Sequence, residues 1–516
     1  MRTIDPGEFN DESADSRRYE PGHYAIAVIR TFVNCFLDRD PARVERREAA
    51  SSRLTAADGA PQSIRTHRAI LSTASGSPTL TIGLMNTIHF RRSITAVTLG
   101  IGALASNTAV AGGISLYEVG TADVGLASAG YSARAQDAST VFTNPAGMTR
   151  LAGDQVTLGA QLLYGDLGFS IGQGTTPALG GNAGGNPVGG LPGGGLFYSR
   201  SVSPDFKIGL ALTGNFGSVV KYDEGWVGRY RAQEGTLLGF SILPSAAWRV
   251  NENLSVGASL NAMVGKLENK VAVNNIIGSD GSLKFDDNAW GFGANVGLLY
   301  EIDRGTRFGV TYNSPVKLDF NAQAQWSDLG PGIRALLASR GLLDANVDLG
   351  VTVPQGVHAS FYHEIDPRWA VLGSVGWQQW SRFGEVEIGV DSNNPVGLTT
   401  KLNFKDTWHL AAGAQYKWSD AWLLNAGIAY DSGFQDNNAV ALALPANAAW
   451  RFGIGAQKEE SKTFNWGLSF EYLYGGNLHA NVVGSAPVAL GGRGDVVGSF
   501  NDVRFLFLAA NFNWKF

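Results

Sequence analysis

The sequence predicts an all-β fold: a transmembrane, 14-stranded antiparallel β-barrel with an N-terminal hatch, or plug, inside its lumen. Three observations predict it. Apolar residues alternate with small or polar ones over runs longer than nine residues, aromatic rings stand near both ends of most apolar rows, and a stretch rich in Ala, Gly and Ser precedes the alternating part. Aromatic rings prefer the headgroup zone of a bilayer, so such rows are typical of a barrel wall that faces lipid.

The composition disfavours other classes of protein. Of the 516 residues, 67 are Gly and only 16% are charged, whereas soluble globular proteins carry about 25% charged residues. No apolar run reaches the roughly 18 residues that a transmembrane helix needs. The net charge of -5 provides no basic surface for nucleic acid.

The N-terminal residues are predicted to lie outside the fold. Residues 85–111 have the pattern of a secretory signal peptide, with a basic segment, an apolar stretch and a small-x-small cleavage site at 109–111. The mature chain should then begin at Gly112. Residues 1–84 are either an over-extended reading frame or a disordered leader, and they contain the only cysteine, Cys35. A mature chain without cysteine must be stabilised by backbone pairing and burial rather than by disulfides.

The alternating segments between residues 155 and 516 number fourteen. A soluble β-sandwich also alternates, but its strands are about 5 to 6 residues long. Tight turns, such as the one at 203–205, alternate with longer loops, which is typical of a bacterial outer-membrane barrel with both termini in the periplasm. The expected strands are 155–170, 195–202, 206–222, 237–250, 254–271, 285–302, 306–324, 347–364, 368–384, 402–417, 421–430, 448–458, 463–475 and 500–516.

Residues 112–154 do not alternate, and a compact segment of small residues could fold inside the lumen, where its backbone groups must find partners. At this point the chain resembles the FadL/TodX family of outer-membrane transporters of long-chain fatty acids and hydrocarbons, over roughly Gly112 to Phe516. The resemblance rests on four elements, which are 125–130 with Asp137-Ala138, Asn144-Pro145-Ala146, the hairpin from Tyr300-Glu301 to Lys317-Leu318, and Asp366-Pro367 followed by Trp377 to Phe383.

The resemblance implies a hatch at 112–154 inside a barrel at 155–516, and it assigns roles to particular residues. Asn144, Pro145 and Ala146 would belong to the hatch and its gate. The family's lateral opening at a kinked third strand matches Phe216 and Gly217, and a Gly within a strand is where a bulge is expected.

Two further features concern the ligand. The loop at 326–346 has apolar residues at roughly helical spacing, at the position where the family forms its ligand groove, and the groove residues would be Trp326, Ile333, Leu336 and Leu337. Lys266 matches a basic residue of the pocket and could pair with a ligand carboxylate. Glu387 stands where the fatty-acid members carry a lysine, which leaves aromatic or neutral hydrocarbons open as ligands.

We therefore expect a passive transporter of hydrophobic compounds in the bacterial outer membrane, with capture in an extracellular groove, passage past the hatch and lateral release through the wall. The expected partners are a fatty acid or hydrocarbon ligand, outer-membrane lipid and lipopolysaccharide, and the barrel assembly machinery, for which the terminal Phe516 is a typical signal. We expect a monomer that binds no nucleic acid, with no catalytic residue, cofactor or metal.

Two alternatives come from other classes of protein. An outer-membrane lipase would use a motif such as Gly-x-Ser-x-Gly, which occurs at 168–172, but that motif here ends a strand instead of joining a strand to a helix. A general porin would need an open, charged lumen, which an Ala/Gly-rich plug would block.

Overall fold

The computed structural model describes residues 115–391, 396–484 and 487–516, without the side chains of 391 and 396–401. The predicted leader at 1–84, the signal peptide at 85–111 and the expected first mature residue, Gly112, lie outside the described residues.

Nineteen strands are present in the described part of the chain. They are β1 (Gln155–Ile171), β2 (Gly189–Ser201), β3 (Phe206–Lys221), β4 (Glu234–Arg249), β5 (Leu254–Val273), β6 (Gly281–Glu301), β7 (Thr306–Asn313), β8 (Val316–Gln323), β9 (Gln325–Ser327), β10 (Asn346–Val353), β11 (Gly356–Glu364), β12 (Trp369–Gln378), β13 (Glu385–Asp391), β14 (Val396–Lys401), β15 (Thr407–Lys417), β16 (Trp422–Asp431), β17 (Ala449–Ser461), β18 (Phe464–Val482) and β19 (Val496–Lys515).

Helical segments of the same residues are short. Three are α-helices, α1 (Thr140–Thr143), α2 (Pro331–Ser339) and α3 (Trp380–Phe383), and four are 3-10 segments, Ala122–Leu126, Pro145–Arg150, Pro177–Leu179 and Val488–Leu490. Within the described ranges, none is long and apolar enough to cross a membrane.

Fourteen of these described strands close into one antiparallel ring. Its order is β1, β2, β3, β4, β5, β6, β7, β11, β12, β15, β16, β17, β18 and β19, and β19 pairs with β1 to complete it. The predicted 14-stranded barrel is confirmed.

Alternate residues of the ring face opposite environments, as the period-two pattern predicts. In β19, the side chain of Leu508 is 58% exposed, whereas Phe507 and Ala509 are each 2% exposed. The exposed row is apolar and faces outward, while the buried row faces the interior of the ring. Backbone pairing around a closed ring satisfies the polar groups that lipid cannot.

The predicted strands at 306–324 and 347–364 are each interrupted near the middle, whereas those at 368–384 and 402–417 are present as the shorter strands β12 and β15. The separated halves of the first two, β8 and β10, form a separate four-stranded sheet with β13 and β14, which lie between the last two predicted strands. Pro315 and Pro354 lie opposite each other at the break, because Asn313 pairs with Gly356 on one side of it and Val316 with Val353 on the other. Proline has no N–H to donate to a ladder, so two facing prolines end the pairing of both strands.

The separate sheet folds inward over the lumen. A Cβ atom at Gly291 of β6 would lie 2.5 Å from the carbonyl oxygen of Lys317 in β8, so the absence of a side chain at this position permits the contact. Leu318 and Phe320 of β8 are 0% and 1% exposed as a result. The interruption therefore moves apolar side chains from the wall into the interior.

The hatch segment, defined here as residues 115–154, lies against the inward faces of the ring strands. Almost all of its residues are buried. Inward-facing glycines of the wall accommodate its backbone: a Cβ atom at Gly159 of β1 would lie 2.7 Å from the Gly120 carbonyl oxygen, and one at Gly453 of β17 would lie 2.5 Å from that of Val124. Close approach of two backbones therefore explains why these two wall positions are Gly.

A candidate ligand cavity and the wall beside it

A cavity of about 70 Å³ lies between the start of the hatch segment and the inward faces of β3, β5, β6, β7, β11 and β12. Strand periodicity directs alternate side chains of each strand toward it. The lining residues are Ser115, Leu116, Tyr117, Tyr131, Phe142, Asn215, Phe216, Asn261, Met263, Asn295, Asn313, Ser314, Val316, Val353, Pro354, Gly356, His358 and Gln378.

One side of the cavity is apolar and continues into a buried cluster, which we call the apolar cluster. The Phe216 ring stacks on the Trp380 ring with centroids 6.4 Å apart, and the Phe434 ring lies 5.2 Å from Trp380. Burial of a ligand methylene is worth about 0.8 kcal/mol, so this cluster can bind an alkyl chain or an aromatic ring. Its members are Phe216, Met263, Ala289, Val316, Leu318, Phe320, Val351, Val353, Trp380, Phe383, Phe404 and Phe434.

Another part of the cavity lining is polar but uncharged. Asn261 and Asn295 project inward from the adjacent strands β5 and β6, and they are 8% and 5% exposed. Asn215 and Asn313 contribute two more amides, and His358 contributes an imidazole that is 2% exposed. The cavity is therefore amphipathic, with rings in one part of its lining and amides in another.

A bulge in β3 joins the cavity to the wall. The pairing of β3 with β4 shifts register between Gly214 and Phe216, which leaves Asn215 as the extra residue. The first described residues of the hatch segment occupy this bulge, since the Leu116 N–H donates to the Asn215 carbonyl at 3.0 Å and Ser115 forms a bridge with Phe216.

The ladder between β2 and β3 ends at this bulge. The last pair is Gly195 with Thr213, although β2 stays paired with β1 back to Gly189 and β3 stays paired with β4 as far as Lys221. Contact resumes beyond the gap, where the Lys221 N–H donates to the Pro187 carbonyl at 2.7 Å. The wall thus contains a bounded window, which we define by residues 189–194 of β2 and 214–220 of β3.

Phe216 and Gly217, the residues predicted at a lateral opening, both lie on the β3 edge of this window. The β2 edge was missed, because the second strand was predicted to begin at residue 195, whereas residues 189–194 belong to β2 and are paired on one side only. The sequence signal was the run Gly-Gly-Leu-Pro-Gly-Gly at 189–194. A strand edge without a partner tolerates proline, which cannot donate to a ladder.

Asn144, Pro145 and Ala146 lie where the hatch segment meets β5 and β6. The Asn144 amide donates to the carbonyls of Ser132, at 2.7 Å, and Leu298, at 2.9 Å, and its Oδ1 accepts from the Ala146 N–H at 3.1 Å. The geometry is that of an anchor, since the amide joins two parts of the hatch segment to the wall. A role in gating stays a prediction.

A buried charge network ties the hatch segment to the opposite side of the wall. Arg451 of β17 pairs with Glu118 of the hatch segment, with Glu471 at 3.0 Å and with Asp431 at 2.5 Å. The His409 Nδ1 lies 2.6 Å from the Asp431 carboxylate. All these side chains are at most 5% exposed. The network was not predicted from the sequence, because its members are far apart in the chain.

The sequence profile of the family described as "Outer membrane protein transport protein (OMPP1/FadL/TodX)" matches residues 102–504. The chain belongs to this family. Membership confirms the predicted family and the predicted location in the outer membrane, and it makes this FadL/TodX-family protein an outer-membrane transport protein.

Individual relatives cover most of the chain. The long-chain fatty acid transport protein of Escherichia coli (strain K12) is 26% identical over 428 residues, which span 76% of this chain and 94% of that protein. Outer membrane protein P1 of Haemophilus influenzae is 27% identical over 434 residues, spanning 76% and 91% of the two chains.

Solved structures show the same fold. A FadL homologue of Pseudomonas aeruginosa superposes with a TM-score of 0.67 at 21% identity, covering 78% of this chain and all of that one (100%). The toluene transporter TodX of Pseudomonas putida superposes with a TM-score of 0.57 at 15% identity, covering 78% and 100%.

The predicted groove residues of this FadL/TodX-family protein lie on β9 and α2. Trp326 is half-buried, and its indole N–H donates to the Leu342 carbonyl at 3.0 Å. Ile333 and Leu337 are half-buried as well, whereas Leu336 is 48% exposed. The helix expected in this loop is therefore present as α2, and it presents an apolar side chain to the surroundings.

The placement of Lys266 in the pocket is wrong. Lys266 lies on the outward face of β5, where its neighbours are Val264 and Glu268, and it pairs with Glu268 at 3.7 Å with its side chain 53% exposed. Because side chains alternate between faces, a displacement of one residue in an assumed register moves a side chain to the other face. The inward neighbours on β5 are Met263 and Gly265.

Glu387 also lies away from the cavity. Its carboxylate is 2.9 Å from the Lys317 ammonium, and these side chains are 62% and 51% exposed. Glu387 therefore belongs to the separate four-stranded sheet and not to the lining of the cavity.

Proposed function

We propose that this FadL/TodX-family protein carries hydrophobic small molecules across the outer-membrane surface and releases them sideways into the bilayer. The molecule is captured near α2, enters the cavity beside the apolar cluster, and leaves through the window between β2 and β3. Relatives are named for long-chain fatty acids, and structural neighbours for toluene, which supports a lipophilic cargo for this chain as well.

One observation supports the proposed exit from the cavity through the window. Phe216 lines the cavity with its side chain and forms the window edge with its backbone, so cavity and window share a residue. An apolar molecule that leaves the cavity at this point would pass into lipid, which solvates it as well as the protein does. The alternative exit, into the periplasm, would expose the molecule to water.

Weak successive sites suit this transport better than one tight site. A chain of some fourteen methylenes would gain on the order of 11 kcal/mol on complete burial, which would make release slow. The cavity of about 70 Å³ can hold only part of such a chain. Partial burial lets the molecule move along its concentration gradient without an energy source.

Uptake by cells that lack the chain, compared with cells that express it, tests the transport. Labelled oleate and labelled toluene are the two probes. Uptake of oleate alone favours a fatty-acid role, uptake of toluene alone favours the alternative of an aromatic hydrocarbon channel, and uptake of neither probe contradicts the transporter proposal.

Two glycines of the bulge provide a matched test of the lateral route. A Cβ atom at Gly217 would lie 2.6 Å from the Leu237 carbonyl oxygen, whereas one at Gly214 would meet nothing within 4 Å. Gly217→Ala must therefore shift β3 and change the window, and we expect uptake to fall severalfold with normal barrel assembly. Gly214→Ala is the control and should leave uptake unchanged. Equal uptake in both variants would contradict exit at this window.

The remaining expectations are part of the same proposal. A monomer in contact with lipopolysaccharide, inserted by the barrel assembly machinery, would carry out this transport without any catalytic step. Low ion conductance in planar bilayers would separate this mechanism from that of a general porin, because the hatch segment fills much of the lumen.

A further inference from the structure

The polar side of the cavity contains hydrogen-bonding atoms that no part of the described protein satisfies. Asn215 Oδ1, Asn261 Oδ1, Asn313 Oδ1 and His358 Nδ1 are all buried and lack a partner. These four atoms belong to residues that line one cavity. Buried polar atoms are normally hydrogen-bonded, so a cluster of unpaired ones indicates a place where a ligand group binds.

The cavity offers hydrogen bonds but no charge. None of its described lining residues is Lys, Arg, Asp or Glu. A buried cation beside the lining residue Tyr117 is Arg451, whose guanidinium lies 5.6 Å from the centroid of the Tyr117 ring. Arg451 already pairs with three carboxylates, so it has no capacity to neutralise a fourth. A ligand carboxylate would therefore lose its hydration without gaining a counter-ion.

An uncharged hydroxyl group matches these atoms better. A carboxamide offers both an acceptor and donors, and a hydroxyl group both donates and accepts. A single hydroxyl can donate to the oxygen of one amide while its own oxygen accepts from the NH2 group of the other. An alkane, by contrast, would leave the amides of Asn261 and Asn313 without partners when it displaced solvent from the cavity.

We propose that the preferred cargo of this protein is a neutral amphiphile, an apolar body that carries one hydroxyl group, with the hydroxyl bound by the amides of Asn261 and Asn313. The inference rests on the proposed transport function and specifies its substrate class. The apolar body lies toward Phe216 and Met263, and the hydroxyl group lies toward the amides. Ionised fatty acids are disfavoured because the cavity cannot compensate their charge.

Binding to the full chain in lipid nanodiscs tests the proposal, with empty nanodiscs as the blank. The probes are labelled 1-dodecanol, dodecanoate at about pH 8, where the carboxylate is ionised, and dodecane. We expect dodecanol to bind more tightly than both of the others. Dodecanoate that binds as tightly as dodecanol would overturn the proposal.

Leucine replacements test whether the amides of Asn261 and Asn313 bind the hydroxyl group of dodecanol. Asn261→Leu and Asn313→Leu remove an amide of similar size whose oxygen has no partner, so folding should be retained. Each should weaken dodecanol binding about two- to tenfold, the range for one hydrogen bond, and leave dodecane binding unchanged. Asn425→Leu is the control, since Asn425 is a 4% exposed inward residue of β16 outside the cavity.

The outcomes separate this inference from the transport proposal. If no probe binds and none is taken up, the transport function itself is wrong. If dodecane and dodecanoate bind but dodecanol has no advantage, or if the leucine variants keep the wild-type ratio of dodecanol to dodecane binding, only the hydroxyl preference is wrong.

Discussion

The hatch segment is attached to the wall in different ways on the two sides of the barrel. On the side of β16 to β18, Arg451 binds the hatch residue Glu118 within a network of buried charges. At the window, the described part of the segment is joined to β3 by the Leu116 N–H and by the bridge of Ser115 to Phe216. The difference indicates a segment that is fixed over most of its length and easily released at its first residues, beside the cavity.

The largest effect is expected from loss of the charge network. Arg451→Leu would leave three buried carboxylates without their cation, and loss of one partner of a buried ion pair costs about 3–5 kcal/mol. Denaturant unfolding of the protein in lipid should show this loss of stability. Arg504→Leu is the control, since Arg504 pairs with Asp166 at the exposed surface and should unfold like the wild type. Equal stability of the two variants would contradict a structural role for the network.

A smaller effect is expected at the anchor on β5 and β6. Asn144→Ala removes three hydrogen bonds, at roughly 1 kcal/mol each, so the free energy of unfolding should fall by about 2–3 kcal/mol. If Asn144 also controls passage of the ligand past the hatch segment, uptake should fall as well. Asn253→Ala removes one hydrogen bond, to the Glu301 carbonyl in an exposed turn, and should have little effect on either measurement.

Acid should lower the free energy of unfolding of the protein, because it protonates the Asp137 carboxylate in the hatch segment. Burial raises the pKa of this carboxyl group, but the adjacent Arg134 and the hydrogen bonds from Ser139 outweigh burial, so the pKa lies below its ordinary value. A lowered pKa in the folded state stabilises the protein above the unfolded pKa of about 4. This contribution is lost as the pH falls below that value toward the folded pKa.

Comparison of the wild type with Asp137→Asn measures this contribution. The difference in free energy of unfolding between them should shrink as the pH is lowered from about 6 to about 3. A difference that does not depend on pH would show that the ion pair of Asp137 with Arg134, at 2.8 Å, contributes nothing to stability.

The smallest change in stability is expected at the window. Leu116→Pro removes the N–H that donates to the Asn215 carbonyl, a loss of about 1 kcal/mol. Because this bond holds the start of the hatch segment beside the cavity, its loss should raise the uptake rate. Leu116→Ala keeps the N–H and serves as the control. A lower uptake in Leu116→Pro than in Leu116→Ala would contradict the expectation that this hydrogen bond slows transport.

Strand count and wall orientation could be predicted from the sequence because both depend on local patterns. Alternation over more than nine residues identifies a strand, and the apolar row of β19, for example Leu508, identifies the side that faces out. The split of the wall strands predicted at 306–324 and 347–364 was not expected, and neither were β13 and β14. The signal for the split, Pro315 and Pro354, became meaningful only when pairing placed the two prolines opposite each other.

The candidate site was predicted less well than the fold. The bulge expected from a Gly in the third strand is present beside Phe216 and Gly217, and their role in a lateral opening stays a prediction. Lys266 was assigned to the wrong face, because a resemblance gives an approximate position whereas the face depends on odd or even register. The amides of Asn261 and Asn313 have no local pattern that marks them as neighbours.

The sequence by itself determined the closed wall and the small-residue segment that precedes it, because side-chain period and composition are properties of contiguous residues. The tertiary structure alone decided where the ladder between β2 and β3 stops and which side chains meet in the cavity. Those features depend on ring closure, which brings together strands that are distant in the chain. Hydrogen bonds across such distances leave no periodic trace in the sequence.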